Sequence, residues 1–498
     1  MAIRKEVGVV MKKHILVSLA ADFLTARIGE NIGIRYIKSF LHSNGYELEI
    51  LENQFLKLSN EDLAMKLAAY DIIGFSINYC GQLNILKDIL NYISDTNKII
   101  YLGGHFATVC YEEILLSYPK VQFIMVSDGE MATLELIQNN YNYENVHNIA
   151  YKKGEEIILS PIKLIAELDK LPFPYRDENS YYLGDNHFSM ITSRGCYHRC
   201  SYCSVGAYTY KYYNNVVRFR SAKNIFDEIK FLKENYNIQY ITFQDDLFIG
   251  TDDKTKKRAV ELAYLIIESK LKVFFSIQCS VKSVNYEIFN LLYQAGLRNV
   301  MIGIENFSDH ALECFNKRQS ADDVVNSISI LNRIGIPISY GFIMYYPEMK
   351  HSEILENIET LYQLKIINIR SITSCLQIYK GTEYSSRVFD SICIDNNYEI
   401  KYSFQDSLLN TYIANCKLFG KKYGSIEKKL HHLEFISHTN SKVDKEQVEK
   451  CFSEYKQCLY LFSKGLYFEI FYNKPNLSFD FIKLQLNKLE ECISKMKL

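Results

Sequence analysis

Short apolar runs alternate with segments of helical periodicity along the first 140 residues. Runs rich in β-branched residues predict strands at His14 to Leu19, Tyr46 to Leu51, Asp71 to Ile77, Lys98 to Leu102 and Val121 to Val126. Between them, helical spacing predicts a helix over Asn31 to His42 and others that begin near Glu61, Gln82, Tyr111 and Glu130. Strands that alternate with helices indicate an α/β fold with a parallel, doubly wound sheet, whose ligand crevice lies at the carboxyl ends of the strands. The run from Asn148 to Leu159 predicts a terminal hairpin that turns at Lys153 and Gly154.

A second series of strands and helices follows a connector, Leu171 to Asp177, in which two prolines favour extended backbone. Its predicted strands are Phe188 to Thr192, Gln239 to Phe243, Lys272 to Gln278, Asn299 to Ile304, Pro337 to Met344 and Asn368 to Leu376. Six such units suit a partial (β/α)6 barrel with its site at the carboxyl ends of the strands. Beyond Gly381 the pattern is mostly helical, with breaks expected at Gly420, Gly424 and Gly465.

These patterns divide the chain into four parts. We predict a Rossmann-like domain over residues 1–145, a hairpin and proline-containing linker over 146–184, a partial barrel over 185–380 and a helical region over 381–498. The helical region is the candidate for substrate binding.

Composition narrows the class of protein. Lys and Arg number 57 and Asp and Glu 58, so the charge balance argues against a dedicated nucleic-acid-binding protein. No apolar stretch reaches the roughly 20 residues that span a bilayer, and no signal peptide is visible, so we expect no membrane association. Thirteen scattered cysteines are a poor disulfide framework and favour a reducing, cytoplasmic compartment.

The strongest chemical motif follows the first strand of the second series. Cys196, Cys200 and Cys203 are spaced by four and then three positions, so a short loop can wrap around one inorganic centre. Soft thiolates select zinc or iron–sulfur clusters. A zinc site completed by His198 or a distant cysteine is the alternative, but structural zinc usually takes paired ligands from two segments, and the sequence shows no second pair. The spacing favours a 4Fe–4S cluster with one open iron.

The cysteine loop resembles that of the radical S-adenosylmethionine (radical SAM) enzymes, in which an aromatic residue, here Tyr202, often precedes the last cysteine. The resemblance implies that Gln244, Asp245 and Asp246 receive the SAM amino group, that Gly303 and Glu305 contact its ribose, and that Gly341 to Ile343 pack against its adenine. Taken singly, the two aspartates could merely cap the next helix, and Glu305 could be a solvated rim residue.

The first domain carries a second signal, because glycines and polar residues follow its strands, where they let a ligand approach the backbone. Coupled to a radical SAM barrel, this pattern resembles the cobalamin-binding class of radical SAM enzymes, over roughly residues 12–385. The cobalamin residues that the resemblance implies are Asn31, Gly33, Ser76, Asn78, Tyr79, Gly103, Gly104, His105, Gly129 and Glu130. The DxHxxG motif that ligates cobalt in many other cobalamin proteins is absent, so binding without a histidine on cobalt is expected. Ordinary turn chemistry is the alternative.

The resemblance implies an enzyme that methylates an unactivated carbon of a natural-product intermediate or peptide by means of a 5'-deoxyadenosyl radical and methylcobalamin. Ring formation, ring contraction or rearrangement with the same cofactors is the closest alternative. A cobalamin-sensing module on a zinc-stabilised barrel, and a methylthiotransferase, are less favoured. The partners implied are a small-molecule or peptide substrate and an external electron donor such as flavodoxin or ferredoxin.

Overall fold

The structure is a computed structural model of the chain. It describes residues 12–20, 29–95, 97–177, 186–388, 392–394, 400–404, 406–437, 443–474 and 479–496. None of the helices in these ranges is long and apolar enough to cross a membrane.

Strands and helices are numbered here in chain order. The strands are β1 (His14–Ser18), β2 (Glu49–Glu52), β3 (Ile72–Ser76), β4 (Ile99–Gly103), β5 (Phe123–Met125), β6 (Ile149–Lys153), β7 (Glu156–Leu159), β8 (His187–Met190), β9 (Ser193–Arg194), β10 (Arg218–Phe219), β11 (Tyr240–Phe243), β12 (Phe274–Cys279), β13 (Leu297–Glu305), β14 (Ile338–Phe342), β15 (Ile392–Ile394) and β16 (Ile400–Tyr402). The helices are α1 (Ile32–Ser43), α2 (Asn53–Leu56), α3 (Asn60–Leu67), α4 (Gly81–Tyr92), α5 (His105–Val109), α6 (Tyr111–Ser117), α7 (Gly129–Gln138), α8 (Ser204–Tyr212), α9 (Ala222–Tyr236), α10 (Asp253–Glu268), α11 (Tyr286–Ala295), α12 (Asp309–Cys314), α13 (Ala321–Ile334), α14 (Ser352–Gln363), α15 (Ile369–Thr373), α16 (Glu383–Arg387), α17 (Ser407–Ser437), α18 (Lys445–Tyr472) and α19 (Phe479–Lys495).

The first sheet has seven strands in the order β2-β1-β3-β4-β5-β6-β7. Its first five strands are parallel, and β6 and β7 form the predicted antiparallel hairpin at one edge. Every residue of β1 and β3 is buried, because helices cover both faces of the sheet. The strand order reverses between β1 and β3, and this topological switch point is where open α/β sheets place a ligand.

The second sheet has five parallel strands in the order β8-β11-β12-β13-β14. The predicted sixth strand over 368–376 is wrong in its first half. Asn368 and Ser371 form a reciprocal capping box that starts α15, so the backbone there is helical, and pairing is limited to one parallel bridge between Tyr345 and Cys375. The curved sheet is therefore an open barrel.

The helical region differs from prediction in two ways. Gly420, Gly424 and Gly465 do not break helices, because α17 runs through the first two and α18 through the third. A Cβ atom at Gly420 would lie 3.0 Å from Ile369 Cγ2, so the glycine lets α17 approach α15 closely. The strands β15 and β16 form an antiparallel pair that the pattern did not predict.

A buried ion network joins the two sheets through the proline-containing connector. Arg176 of the connector pairs with Glu30, which precedes α1, and with Glu228 of α9, and it also donates to Ser189 O at 2.7 Å. The side chains of these charged residues are at most 1% exposed. Arg35 of α1 pairs in turn with Glu52. The connector thus fixes the first sheet against the second.

We predict that Arg176→Met lowers the midpoint of thermal unfolding, because it removes one of the two arginines that pair with each of the buried carboxylates Glu30 and Glu228. Breaking a buried pair in this way costs about 3–5 kcal/mol. The matched control is Lys170→Met, whose partner Glu167 is 68% exposed, and where the cost should stay within about 0.5 kcal/mol. Equal midpoints for the two variants would contradict a stabilising role for the network.

Candidate functional site

The cysteine loop runs from the end of β9 to the start of α8. Its backbone is anchored by residues after β13 and in α16, since Ser201 N donates to Phe315 O at 2.9 Å and Tyr384 N donates to Ser201 O at 2.8 Å. Asn316 Nδ2 donates to Arg199 O at 2.7 Å. These bonds hold the loop without using a thiol, so the three sulfur atoms are left for another ligand.

The thiols themselves are shielded and lie near one another. Burial raises the pKa of Cys196 to about 12 and that of Cys200 to about 11, and neighbouring cysteines add to the effect. Cys203 is the N-cap residue of α8 but makes no capping bond; its pKa is raised by burial, while the amides of Val205 and Gly206 work in the opposite direction. A thiolate at this helix end is therefore stabilised by the helix dipole.

The donor set fits an iron–sulfur cluster. Three thiols share one short loop, and soft thiolates are the usual protein ligands of such clusters. In the described ranges, no group of three or more His, Cys, Asp or Glu side chains is arranged to hold a single metal ion. In a cluster each thiolate binds a different iron, so the sulfur atoms need not converge on one point.

Asp245, at the end of β11, is fully engaged inside the protein. Its carboxylate accepts bonds from Thr192 N at 2.6 Å, Thr192 Oγ1 at 2.5 Å and Ser193 N at 2.7 Å. Burial raises its pKa, which the nearby Arg258 opposes. The structure therefore uses Asp245 to hold the turn that leads into β9. Its role towards SAM stays a prediction, and three hydrogen bonds already occupy most of its acceptor positions.

Asp246 has a different environment. Burial and the adjacent Asp245 raise its pKa to about 6, and a backbone bond from Gly195 opposes the shift. No Lys, Arg or His of the described chain forms an ion pair with it. Its negative charge contributes to the raised pKa of the Cys196 and Cys203 thiols. A shielded carboxylate beside the cysteine loop that lacks a cation fits the ammonium group of SAM.

Glu305 lies at a β-bulge near the end of β13, where the register with β14 shifts. Its φ is +66°, and its carboxylate stands in front of Gly303 and Gly341, where any Cβ atom would lie within 3.3 Å of it. Lys317 Nζ donates to Glu305 Oε1 at 3.0 Å. The bulge thus aims the carboxylate across the inner face of the sheet, as expected for a residue that meets a ligand there.

The other predicted SAM residues lie around these two carboxylates. Tyr202 is half-buried against Phe315 with ring centroids 5.3 Å apart, and desolvation and Glu305 raise the pKa of its hydroxyl well above the usual value. Gln244 is exposed on the inner face of the sheet and donates to Ser189 Oγ at 2.7 Å. Phe342 is buried next to Gly341.

Polar side chains meet at the switch point of the first sheet. Asn31 Nδ2 donates to Ser18 Oγ at 3.1 Å and to Ser76 Oγ at 3.0 Å, and Asn78 Nδ2 donates to Ser76 Oγ at 3.2 Å. Ser18 and Ser76 end the neighbouring strands β1 and β3. The structure therefore brings together the predicted residues Asn31, Ser76 and Asn78, with Ser18 as a member that the sequence did not single out.

Gly104 and His105 follow β4 beside this group. A Cβ atom at Gly104 would lie 2.7 Å from Ile77 O and 2.8 Å from Asn78 Oδ1, and its φ of +97° favours glycine, so packing of the chain itself requires this residue. The His105 ring stacks on Tyr208 of α8 with centroids 4.6 Å apart, and its Nε2 is buried without a hydrogen bond. Burial lowers its pKa to about 4, so the ring is neutral near pH 7. Nε2 cannot meet a metal unless the surrounding side chains move.

The remaining predicted cobalamin residues are spread along the same edge. Gly33 lies in the first turn of α1, Tyr79 is 39% exposed after β3, and Gly103 ends β4. Glu130, in the first turn of α7 after Gly129, is buried and already paired with Arg194. Its assignment to cobalamin stays a prediction, and the structure gives its carboxylate another partner.

Sequence reasoning missed Lys317, Arg194 and Thr192. Lys317 follows Glu305 by twelve positions, and its ammonium donates to that carboxylate and interacts electrostatically with Cys200. Burial would lower the pKa of Lys317, but Glu305 and the nearby thiols raise it, so the ammonium is retained. No spacing rule marks these residues, because each acts across a long separation in the sequence.

Comparison with known proteins gives two domain matches. A family described as the radical SAM superfamily matches residues 190–361, and one described as the B12 binding domain matches residues 25–137. The first range contains the cysteine loop and Glu305, and the second contains the switch-point residues Asn31, Ser76 and Asn78.

Relatives and a solved structure agree with the matches. The chain is 23% identical over 350 residues to an uncharacterised methyltransferase of Pyrococcus horikoshii, covering 68% of this chain and 74% of the relative. It is 22% identical to an anaerobic magnesium-protoporphyrin IX monomethyl ester cyclase of Synechocystis, covering 66% and 67%. The fold is similar to that of the cobalamin-dependent S-adenosylmethionine radical enzyme OxsB with aqua-cobalamin and S-adenosylmethionine bound, with a TM-score of 0.79 and 18% identity over 98% of this chain and 79% of that one.

The two domain matches confirm the resemblance drawn from the motifs and the expected set of cofactors, a 4Fe–4S cluster, S-adenosylmethionine and cobalamin. The protein is an enzyme of the cobalamin-binding radical SAM class.

Proposed function

We propose that the enzyme methylates an unactivated carbon of a small natural-product intermediate or a peptide. The observation that carries the proposal is the stacking of His105 on Tyr208, because it places the end of β4, beside the corrinoid crevice, against the helix that follows Cys203. Bound together, the cofactors supply a radical that removes hydrogen and a methyl group that can be transferred. Similarity to the methyltransferase of P. horikoshii supports this reaction.

The chain's own residues bind and orient these groups. Cys196, Cys200 and Cys203 hold the cluster, Asp246 accepts from the SAM ammonium, and Glu305 accepts from its ribose hydroxyls while Lys317 donates to the same carboxylate. Asn31, Ser76 and Asn78 offer amide and hydroxyl groups to the side chains and nucleotide tail of the corrinoid.

The inner face of the second sheet favours a substrate with hydrogen-bonding groups. On β12, Ser276 and Gln278 face inward and are accessible, while their neighbours Phe275 and Ile277 are buried against helices. Ser276 Oγ donates to Thr242 Oγ1 on β11 at 3.3 Å. Amides and hydroxyls that line an accessible face suit a polar natural product or a peptide.

Ring formation or rearrangement with the same cofactors is the second candidate, favoured by the similarity to the protoporphyrin ester cyclase over two thirds of the chain. Electrons are proposed to come from an external flavodoxin or ferredoxin. SAM with a deuterated methyl group separates the two reactions. Methylation requires recovery of the deuterated methyl group first with the corrinoid and then in the product, whereas cyclisation leaves the product without deuterium.

We predict that Cys196→Ala, Cys200→Ala and Cys203→Ala each abolish cluster assembly, because the loop loses one of three thiolates. Iron, acid-labile sulfide and visible absorption would be measured after anaerobic reconstitution. Cys314→Ala is the matched control, since the Cys314 thiol is also half-buried, lies outside the loop and makes a 3.9 Å contact with His310, while the backbone carbonyl that accepts from Ser201 is kept. A full cluster in any of the three loop variants would refute the ligand assignment.

The two adjacent aspartates should behave differently. Asp246→Asn should keep the cluster and weaken SAM binding about ten- to a hundredfold, because a hydrogen bond to a charged group is worth about 1.5–3 kcal/mol. Asp245→Asn should instead impair cluster assembly, because it weakens the bonds that hold residues 192 and 193. SAM affinity would be measured by equilibrium dialysis with the reconstituted protein. If Asp246→Asn bound SAM normally, the ammonium would have to be held elsewhere.

Cobalamin binding should depend on the switch-point group and not on a histidine. Ser76→Ala should weaken the corrinoid about fivefold, because it removes one hydroxyl worth about 1 kcal/mol. Ser43→Ala, at the far end of α1, is the control. His105→Ala should leave the nitrogen superhyperfine splitting of the cob(II)alamin spectrum unchanged. A splitting that disappears in that variant would show that the imidazole ligates cobalt.

A further inference from the structure

The start of the cysteine loop is tied to the first domain by a buried ion pair. Arg194, two positions before Cys196, donates from Nη2 to Glu130 Oε1 at 2.5 Å and from Nη1 to Glu130 Oε2 at 3.3 Å. Its Nη1 also lies 3.3 Å from Asp128 Oδ1. The arginine side chain is 13% exposed and both carboxylates are 4% exposed. A two-point bond between a guanidinium and a carboxylate fixes orientation as well as distance.

Asp128 reinforces the same contact from the turn before α7. It accepts from Arg218 Nη1 at 2.5 Å and from Tyr213 Oη at 2.9 Å. Arg218 lies opposite Arg194 in the register of the antiparallel strands β10 and β9. Burial would raise the pKa of Asp128, but Arg194 and Arg218 hold it below its usual value, so the carboxylate stays charged. Asp128 occupies the N-cap position of α7 without making a capping bond. A residue suited to a helix cap is thus used for a contact between domains.

The far end of the cysteine loop meets the first domain as well. The Tyr208 ring stacks on His105, and Tyr212 Oη donates to Thr108 O at 3.0 Å. The segment that carries all three cysteines is therefore held at both ends by the domain that contains the corrinoid crevice. Of these contacts, the one between Arg194 and Glu130 lies nearest in sequence to the first cysteine.

We propose that Arg194 is a positioning residue that, through Glu130, sets the separation between the cluster and the corrinoid. The inference rests on the proposed function, because it takes Cys196 as a cluster ligand and the first domain as the corrinoid site. The pair leaves the thiols untouched, so its loss should not prevent cluster assembly. Its loss should let the two cofactor sites adopt a range of separations.

The test uses the full-length protein loaded with corrinoid and cluster. Glu130→Gln and Arg194→Gln remove the charge from either side, and Arg194→Lys retains the charge without the two-point bond. Glu135→Gln is the matched control, since it lies on the same helix but bonds His147 and Lys163, which flank the hairpin of the first sheet and not the cysteine loop. Iron and sulfide content is determined first. Paramagnetic relaxation of cob(II)alamin by the reduced cluster then reports their separation.

We expect full cluster content in all variants and a single relaxation behaviour in the wild type and Glu135→Gln. Glu130→Gln and Arg194→Gln should show weaker, distributed relaxation, with Arg194→Lys in between. Hydrogen exchange over residues 194–213 should quicken about tenfold or more in the two Gln variants, because removal of one partner of a buried pair favours local opening.

Two results would overturn the inference. Wild-type relaxation and exchange in both Gln variants would show that the pair does not set the separation. Loss of the cluster in Glu130→Gln, which lies on the other domain, would show that the pair only folds the loop. Failure of the proposed function is distinguishable, since it would appear as wild-type protein that takes up neither cluster nor corrinoid.

Discussion

Charges buried between two sheets are the constraint on which this structure depends. Arg176, Arg194 and Arg218 each place a guanidinium where water is largely excluded, and each meets a carboxylate of the first domain. A buried charge without its partner is costly, so only one relative placement of the sheets satisfies all three arginines. The same placement fixes the relative position of the two proposed cofactor sites, because the cysteine loop and the switch-point group both adjoin these pairs.

Much of the fold follows from local pattern, and the exceptions have local causes. Continuous apolar runs identified the parallel strands of both sheets, since strands that are buried on both faces have nearly continuous hydrophobic sequences. The prediction of a sixth barrel strand was wrong in its first half because the capping box of Asn368 starts a helix there despite the β-branched residues that follow. The prediction of helix breaks was wrong because Gly420 lets the helix approach Ile369 closely and does not end it. The domain limits at 145, 184 and 380 stay predictions.

The site was only partly accessible from the sequence. A cysteine motif with fixed spacing carries its own chemistry, so the loop could be found from its spacing alone. Asp245 and Asp246 are the same residue type at adjacent positions, and only their neighbours distinguish an aspartate that holds the turn at 192–193 from one that lacks a cation. Lys317 and Arg194 could not be found, because their partners are distant in sequence and no periodicity links them.

The bonds of Asp245 connect the end of β11 to the turn that precedes the cysteine loop. Any displacement of β11 is therefore transmitted to the residues just before Cys196, while Asp246, on the next position, moves with the same strand. The proposed cluster ligands and the proposed ammonium acceptor are thus tied to the same strand end. Their relative geometry therefore depends on the same few hydrogen bonds of Asp245.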